Sequence, residues 1–457
     1  MCIRDRVITV VKNGRVIDPY NNIDSKLNIV IKDGKILEIT PYEISGEKNI
    51  DATGLIVCPG FIDIHMHEDM YHNEEDYLDE WIAKSMLNMG VTTCIGGNCG
   101  INLTEPLTYL DAVDRLKLPV NIGLMAGHTN IRECVVENSN KYNPIQIDDI
   151  KKIMYTAREY LEGGCFGISY GIRYVPGITE LELIEVSKAC KPENKIINAH
   201  VRDDAKNIIW ATKEFIKVGM KLDIPIQNSH IGSMGGYGQM KELLRLLDSV
   251  KSSGLDITSD CYPYYAFSTR IGETTYDDGF LERYNIDYDS IEISEGKYKG
   301  QRCTKNIFDE LRKNSPDTIT VGHVMNEKDI DMAILHPNVM IASDGFLHNE
   351  QGHPRAAGTF TRLIDKYVKT GKLSLYDAIN KMTTMPAKKL GLSNKGNLSK
   401  GSDADITIFS YDEIKDNATF DNPIKKPDGI KYVLIKGSVA LKDGEIVNGK
   451  LGTSVRR

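Results

Sequence analysis

The chain has 457 residues and a formal net charge of −8 at pH 7, a length that allows one large domain and a smaller one. No cluster of lysine and arginine is dense enough to form a phosphate-binding face, so we expect no nucleic-acid partner. The apolar stretches are strand-length and far short of the roughly 20 residues that a membrane span needs, so we expect no membrane partner.

The N-terminal residues and the cysteines indicate the cellular compartment of the protein. Residues 1–6 lack the apolar segment of a secretory signal and match nothing in the strand pattern that follows, so export is not indicated. The nine cysteines are odd in number and irregularly spaced, which favours reduced thiols over a disulfide framework. We therefore expect a cytoplasmic protein.

Both ends of the chain have the pattern of a small β-domain. In the N-terminal part, strands are predicted near residues 7–11, 16–18, 27–31 and 36–39, with turns at Asn13-Gly14 and Asp33-Gly34 between them. A matching pattern returns near residues 401–409 and 430–437. Residues 1–57 and 398–457 are therefore expected to form one β-sandwich domain together.

Residues 58–397 alternate short apolar strands with helical periodicity, which predicts a parallel sheet with helices outside it. About eight such units predict an α/β fold of the TIM type, a (β/α)8 barrel, whose chemistry lies at the C-terminal ends of its strands. The candidate strand ends are His65, Asn98, Met125, Ser169, His200, His230, Asp260, His323 and Asp344. Residues 271–300 are polar and poorly periodic, and we expect them to form an insertion over the barrel mouth.

Two histidines close the first of these strands. His65 and His67 follow the run Pro59-Gly60-Phe61-Ile62-Asp63. Because residues i and i+2 of a strand point to the same side, both imidazoles can reach one metal ion. The sequence therefore predicts a metal site at this strand end.

Three further side chains at strand ends are candidate ligands. Cys99 lies in a glycine-rich turn where a thiolate is accessible, whereas Cys94 lies inside the strand and is expected to pack. His200 and His230 each end a separate strand. One histidine at such a position is more often an ordinary polar residue, but several together favour a ligand set.

Asp344 ends the last predicted barrel strand, in Ser343-Asp344-Gly345. By itself it could be a turn or helix-capping aspartate. A carboxylate that faces a metal site can instead take a proton from water and return it, which hydrolysis requires. Asp344 is therefore the candidate catalytic residue.

These motifs resemble the amidohydrolase superfamily, whose entry signature is the run Gly-Phe-Ile-Asp-x-His-x-His. Their order and approximate separations are similar to those of the D-aminoacylase branch, the N-acyl-D-amino-acid deacylases, over nearly the whole chain. In that branch a cysteine takes the metal-bridging position that a carboxylated lysine or a glutamate fills in other members. The resemblance implies a metal-dependent amide hydrolase that releases a D-amino acid and a carboxylate.

The resemblance also implies the roles of the ligands. Cys99, His200 and His230 would hold a tight Zn²⁺ ion, and His65 and His67 would form a second, weaker position that shares Cys99. Soft sulfur in the ligand set favours zinc over magnesium or calcium.

The substrate that the resemblance implies is a small molecule with a free carboxylate. Arg355 matches the carboxylate-binding arginine of the family, and Tyr262 and Ser268 match the hydroxyl donors that assist it. Considered alone, Arg355 would be a surface arginine, and the two hydroxyl residues would serve packing or loop structure. His128 resembles a family position near the mouth and is expected to lie behind the ligands.

One position departs from the family pattern. Family members usually carry a lysine two residues after the last metal histidine, and here that position is Gly232. Residues 232–238 are rich in glycine, so we expect them to form a mobile loop at the mouth. The lost charge would relax carboxylate recognition or favour another substrate, such as a dipeptide or an acylated amine.

Two other functions remain open. A cyclic-amide hydrolase of the hydantoinase or dihydroorotase kind shares the barrel and the paired histidines but usually needs a carboxylated lysine on a central strand. A metal-free scaffold with an amidohydrolase-like barrel would typically lack several ligands. Cys99 in the bridging position and the complete ligand set favour the deacylase, and metal content would separate an enzyme from a scaffold.

Overall fold

The computed structural model describes residues 8–457, so Val7 and residues 1–6, named above, lie outside the described range. The strands, in chain order, are β1 (Ile8–Asp18), β2 (Ile23–Lys32), β3 (Lys35–Thr40), β4 (Lys48–Asp51), β5 (Ile56–Pro59), β6 (Phe61–Asp63), β7 (Tyr71–His72), β8 (Tyr77–Leu78), β9 (Val91–Gly96), β10 (Asn121–Leu124), β11 (Ala126–Gly127), β12 (Gly167–Gly171), β13 (Ile196–His200), β14 (Ile226–Asn228), β15 (Ile257–Cys261), β16 (Phe267–Arg270), β17 (Ile291–Ile293), β18 (Ile319–Gly322), β19 (Val339–Ile341), β20 (Leu347–His348), β21 (Gln351–Gly352), β22 (Ile406–Phe409), β23 (Ile430–Ile435), β24 (Ser438–Lys442) and β25 (Glu445–Ile446). The α-helices are α1 (Trp81–Asn88), α2 (Pro106–Leu116), α3 (His128–Val135), α4 (Ile147–Glu162), α5 (Glu180–Ser187), α6 (Ile208–Leu222), α7 (Ile231–Gly235), α8 (Met240–Ser252), α9 (Phe280–Tyr284), α10 (Lys305–Asn314), α11 (Glu327–Leu335), α12 (Arg355–Arg362), α13 (Leu375–Met382) and α14 (Thr384–Leu390).

Strands from both ends of the described chain form one sheet. Its order is β25-β24-β23-β22-β5-β1-β2-β3, and β4 pairs with β1. The two ends meet where β5 pairs antiparallel with β22. Apolar side chains from both ends, among them Val16, Val57 and Leu434, are buried in a common cluster. The ends therefore build one β-domain, while the domain limits at residues 57/58 and 397/398 stay a prediction.

Eight parallel strands of the described chain form the barrel: β6, β9, β10, β12, β13, β14, β15 and β19. Backbone hydrogen bonds close the ring at the two remaining seams. The amide of Phe166 donates to the carbonyl of Leu124 at 2.9 Å beside β10, and the amide of Asp344 donates to the carbonyl of His65 at 2.8 Å between the last strand and the first. The predicted α/β fold, a (β/α)8 barrel with a β-domain, is confirmed, and the sandwich form of the β-domain stays a prediction.

The sequence patterns explain how the helices cover the barrel. In α4, the buried residues Ile150, Ile153, Ala157 and Leu161 recur at spacings of three and four, which places one apolar face against the strands. All residues of β13 are buried, as expected for a parallel strand covered on both faces. Within residues 8–457, no helix has the combination of length and apolar character that crossing a bilayer requires.

An insertion occupies the connection between β15 and β19. Its strands β16, β17 and β18 form an antiparallel sheet with β18 in the middle. The prediction that His323 ends a barrel strand is therefore wrong, because His323 follows β18. An apolar strand has the same sequence pattern in either kind of sheet, so the pattern alone could not separate them. Residues 271–300 lie in this insertion, and Glu273 lines the cleft described below.

Phe61 joins the barrel to the β-domain. Its ring is fully buried and lies 5.9 Å from the ring of Phe360 in α12 and 6.3 Å from the ring of Phe409 in β22. We expect Phe61→Ala to lower the free energy of unfolding by about 3–5 kcal/mol, because the truncation leaves a cavity between the domains. Chemical denaturation followed by circular dichroism measures this loss. The control Trp210→Ala removes a ring that is 58% exposed, and a loss in Phe61→Ala no larger than in this control would contradict the packing role.

Candidate metal centre

The turn that carries Cys99 is fixed by its neighbours. The amide of Gly97 donates to the carboxylate of Glu68 at 2.6 Å. Gly97 has φ of +72°, and a Cβ there would lie 2.2 Å from the carbonyl oxygen of Met125, so only glycine fits this position. Cys99 itself has φ of 54°. These constraints present the thiol at the C-terminal ends of the strands.

The predicted ligands converge on this thiol. Cys99 Sγ lies 3.5 Å from Nε2 of His65 and 3.4 Å from Nε2 of His230. The ring of His200 lies 4.5 Å from the ring of His230, and the ring of His67 lies 5.9 Å from the ring of His65. The structure therefore brings together all five side chains that the sequence predicted as ligands.

The donor atoms suit a transition metal. One atom from each of His65, Cys99, His230 and Asp344 lies within 4.8 Å of the others, and all four residues are buried. Nδ1 of His200 is also buried and has no hydrogen-bond partner in the described part of the chain. Thiolate and imidazole are ligands that zinc takes and that magnesium and calcium avoid. The site therefore fits the zinc ion that the resemblance implies.

The charges around Cys99 favour its metal-binding form. Burial alone would favour the neutral thiol, but the imidazoles of His230 and His65 outweigh burial and hold the pKa of Cys99 well below its ordinary value. Burial, together with His230, lowers the pKa of His200 to about 4. A thiolate and a neutral imidazole are the forms that coordinate a metal.

Asp344 lies between two of the histidines and Arg355. Its Oδ1 lies 3.2 Å from Nε2 of His67 and 3.4 Å from Nε2 of His65, and its Oδ2 lies 3.0 Å from Nη1 of Arg355. Burial would raise the pKa of this carboxyl, but Arg355 and the nearby imidazoles hold it well below its ordinary value. Asp344 is therefore ionised and can accept a proton.

The three predicted carboxylate-binding residues lie together beside Asp344. Arg355 is buried, and its guanidinium carbon lies 4.6 Å from the centre of the Tyr262 ring. Tyr262 is fully buried, whereas Ser268 lines the cleft together with Arg355. Nε of Arg355 has no hydrogen-bond partner among the described residues. Arg355 is therefore a buried cation beside Asp344 with one unpaired N–H group.

A cleft with two lobes opens onto these residues. The first and larger lobe reaches His67 and Cys99, and the second reaches His200 and His230. The residues that line both lobes are Tyr174, Ser268, Thr269, Asp344 and Arg355. Asp344 therefore lies where the lobes meet, and a small molecule bound there can extend to either side of it.

Comparison with known proteins gives the family. The model of the amidohydrolase family matches residues 56–440, most of the chain. The chain belongs to the amidohydrolase family.

The relatives of this amidohydrolase fall in the predicted branch. It is 30% identical to a D-aminoacylase of Alcaligenes xylosoxydans xylosoxydans, over 93% of this chain and 92% of the relative. It is 25% identical to an N-acyl-D-glutamate deacylase of the same organism, over 95% of this chain and 94% of the relative. A solved D-aminoacylase structure, described as having a binuclear metal centre, superposes with a TM-score of 0.87 at 26% identity over 98% of this chain and 99% of that one. The predicted resemblance to D-aminoacylases is confirmed.

The expectation of a mobile loop at Gly232 is wrong for this amidohydrolase. Residues Ile231–Gly235 form the short helix α7, and all are buried. A Cβ on Gly232 would lie 2.8 Å from Sγ of Cys261 and 2.9 Å from Cδ1 of Ile330. Position 232 therefore faces the packed interior, and its neighbours would have to shift to admit a side chain.

His128 lies behind the Cys99 turn, as the sequence indicated. It is fully buried, and its Nε2 lies 3.1 Å from a carboxylate oxygen of Glu182. The amide of the next residue, Thr129, donates to the carbonyl of Gly100 at 2.9 Å. The backbone after His128 therefore supports the turn, and His128 itself does not line either lobe of the cleft.

Three side chains around the ligands were not predicted. Oγ of Ser233 lies 3.0 Å from Nδ1 of His230, and the ring of Tyr174 lies 4.6 Å from the ring of His200. The carboxylate of Asp260 accepts from the amide of His230 at 2.9 Å. Of these three, only Asp260 could be noticed in the sequence, because it is a polar residue at a strand end. Ser233 and Tyr174 follow their strands at separations that no sequence pattern specifies.

Proposed function

We propose that this amidohydrolase is a zinc-dependent hydrolase that deacylates N-acyl-D-amino acids to a D-amino acid and a carboxylate. The observation that carries the proposal is the convergence of Cys99 and the four histidines beside Asp344 in the cleft. The similarity to D-aminoacylase over nearly the full length supports the amide substrate.

Each ligand has a proposed place. Cys99, His200 and His230 would hold the tight zinc ion, and His65 and His67, together with Cys99, would hold a weaker second one. The related D-aminoacylase with a binuclear metal centre supports two positions. When bound, zinc polarises the amide carbonyl and makes water a stronger acid near neutral pH.

Proton transfer and substrate binding are the roles of the other side chains of the site. Asp344 takes a proton from the attacking water and returns it to the nitrogen of the amide, because an amine leaves more easily once it is protonated. Arg355 binds the substrate carboxylate, and Ser268 adds a hydroxyl from the cleft wall. Tyr262, whose hydroxyl has no hydrogen-bond partner among the described residues, assists Arg355 as a second hydroxyl donor, and its ring packs against the guanidinium.

The charges of the cleft support substrates with an uncharged side chain. Besides Arg355, the cation that lines the lobes is Arg270, which lies over the ring of Phe346 and 3.7 Å from Asp317. Glu68 and Glu273 line the first lobe, and Asp204, which pairs with Arg283 at 3.0 Å, lines the second. A second carboxylate on the substrate would thus meet more acidic than basic side chains in the first lobe.

The test is amine release by the zinc-loaded protein from paired N-acetyl-D- and N-acetyl-L-amino acids. We expect turnover of the D-series, with N-acetyl-D-methionine preferred over N-acetyl-D-glutamate and N-acetyl-D-aspartate. Faster turnover of the acidic pair would contradict the side-chain proposal alone, and no turnover of either series would contradict the deacylase.

The two alternative functions have less support. The eight barrel strands, as the structure describes them, contain no lysine, so the bridging group of the cyclic-amide hydrolases has no counterpart on them. A scaffold would not need a complete ligand set. Dihydroorotate and hydantoin in the substrate panel test the first alternative, and zinc analysis of the purified protein tests the second.

Arg355 gives a prediction for substrate binding. We expect Arg355→Met to raise KM for an N-acyl-D-amino acid by about 30-fold or more, because a buried charge partner of the carboxylate is lost. An N-acyl amine without a carboxylate should show a much smaller difference between variant and wild type. Steady-state kinetics on both substrates measures the effect.

The matched control is Arg270→Met, which removes a cleft arginine whose side chain is 39% exposed. It should leave KM for an uncharged side chain within a few-fold of the wild type. An equal rise in KM for the substrates with and without a carboxylate would show that Arg355 acts only through its contact with Asp344.

We also propose a cytoplasmic location. All eight cysteines within residues 8–457 are free thiols, as is usual for proteins of a reducing compartment. Fractionation of the producing cells tests this proposal, and recovery of the protein outside the cytoplasm would contradict it.

A further inference from the structure

One carboxylate contacts two of the ligands. Asp260 is the penultimate residue of β15 and is fully buried. Its Oδ1 lies 2.9 Å from the amide nitrogen of His230 and 3.3 Å from Nδ1 of His65. Its Oδ2 accepts from Nε2 of Gln227 at 2.6 Å. Because a buried carboxylate is costly without such partners, these contacts hold it in one orientation.

The charge of Asp260 favours one direction of the His65 ring: the 3.3 Å separation is an ion-pair contact, and Nδ1 of His65 is buried without a hydrogen-bond partner among the described residues. A carboxylate beside Nδ1 favours the proton on that nitrogen, which leaves the lone pair of Nε2 free. Nε2 is the atom on the side of the centre, 3.5 Å from Sγ of Cys99. Asp260 therefore presents the ligand atom of His65 toward the shared thiol.

The contact with His230 stabilises an unusual backbone. His230 has φ of 32°, a left-handed conformation that a residue with a side chain adopts at an energetic cost. A charge-assisted hydrogen bond to its amide offsets part of that cost. Oδ1 of Asp260 thus contacts both His230, which follows β14, and His65, which follows β6. The rings of these two histidines lie 5.1 Å apart.

We propose that Asp260 is a positioning residue that links the two zinc positions and determines how well the weaker one fills. The assignment of His65 and His230 to different positions rests on the proposed function. Asp260 touches neither substrate nor metal in this role, because it acts through the ring of His65 and the backbone of His230. Loss of its charge should therefore weaken the position of His65 more than the position of His230.

The experiment is zinc binding by metal-free Asp260→Asn, followed by titration with a competing chelator and by elemental analysis. Asparagine keeps an acceptor for the amide of His230 but loses the charge beside His65. We expect the affinity for the second zinc equivalent to fall by about 10- to 100-fold, with a smaller change in the first. Unchanged affinities, or an equal fall in both steps, would overturn the proposal.

A control separates positioning from general damage. Asp18→Asn neutralises a carboxylate that is also fully buried but lies in the β-domain, where it accepts from the amide of Leu398 at 2.8 Å, so both zinc steps should stay as in the wild type. Zinc binding is measured without substrate. If the wild type deacylates nothing while Asp260→Asn still loses its second zinc, the substrate proposal fails and the role of Asp260 stands.

A second measurement needs no folded Asp260 variant. In the wild type labelled with ¹⁵N-histidine and loaded with zinc at both positions, we expect an Nδ1–H proton resonance of His65 that exchanges slowly with water. The resonance is assigned by its loss in His65→Gln. A proton on Nε2 of His65 would overturn the proposal whether or not Asp260→Asn folds.

Discussion

Asp344→Asn should lower kcat for an N-acyl-D-amino acid by about 10²- to 10⁴-fold, the range that a positioned acid or base contributes. The amide has the size of the carboxylate but can neither take a proton from water nor return it to the leaving nitrogen. Asp344 lies where the two lobes meet but is not proposed to bind the substrate carboxylate. KM should therefore change much less than kcat. Steady-state kinetics with the zinc-loaded variant measures both.

Two checks make this result specific. Zinc content should match the wild type, and the thermal midpoint should be recorded because Arg355 loses its charged partner. Asp148→Asn, which changes a side chain that is 81% exposed, should retain full activity. If the Asp344 variant holds zinc and keeps kcat within a few-fold of the wild type, another group moves the proton.

Cys99→Ser should remove zinc from both positions and activity with it. Because Cys99 is proposed to be shared by both positions, one substitution should weaken each of them. A serine hydroxyl stays protonated near neutral pH and is a harder donor than a thiolate, so it suits zinc poorly. We expect the affinity to fall beyond the about 10- to 100-fold that is typical when a partner of a ligand is lost.

The measurement is zinc per chain after dialysis against a fixed free zinc concentration, followed by the amine-release assay. Cys134→Ser changes an exposed cysteine and should keep the zinc content and activity of the wild type. Retention of two zinc ions by Cys99→Ser would contradict the bridging role.

The sequence predicted the ligands because their positions follow a local rule. His65, His200 and His230 each lie at a strand end, and the barrel brings its strand ends to one face whatever the details of the loops. The prediction for Cys99 needed the resemblance as well, since a glycine-rich turn does not by itself indicate a ligand.

The parts that the sequence missed depend on contacts between distant residues. The strand before His323 pairs with the insertion and not with the barrel, and both choices bury the same apolar residues. The direction of Gly232 follows from the left-handed backbone of His230 and from packing on Ile330. The role of Asp260 depends on its contacts with His65 and His230, which follow two other strands. The sequence alone does not show that these residues meet.

Cys99, His230 and Asp344 share one feature of the backbone, with φ of 54°, 32° and 48°. A left-handed conformation at a residue with a Cβ costs about 1–3 kcal/mol. Each of these three donors thus lies on a residue whose backbone conformation is unfavourable. Glycine at any of these positions would relieve the backbone strain. Selection for heat resistance alone would favour the loss of these side chains, so their persistence in a lineage would record continued selection for catalysis.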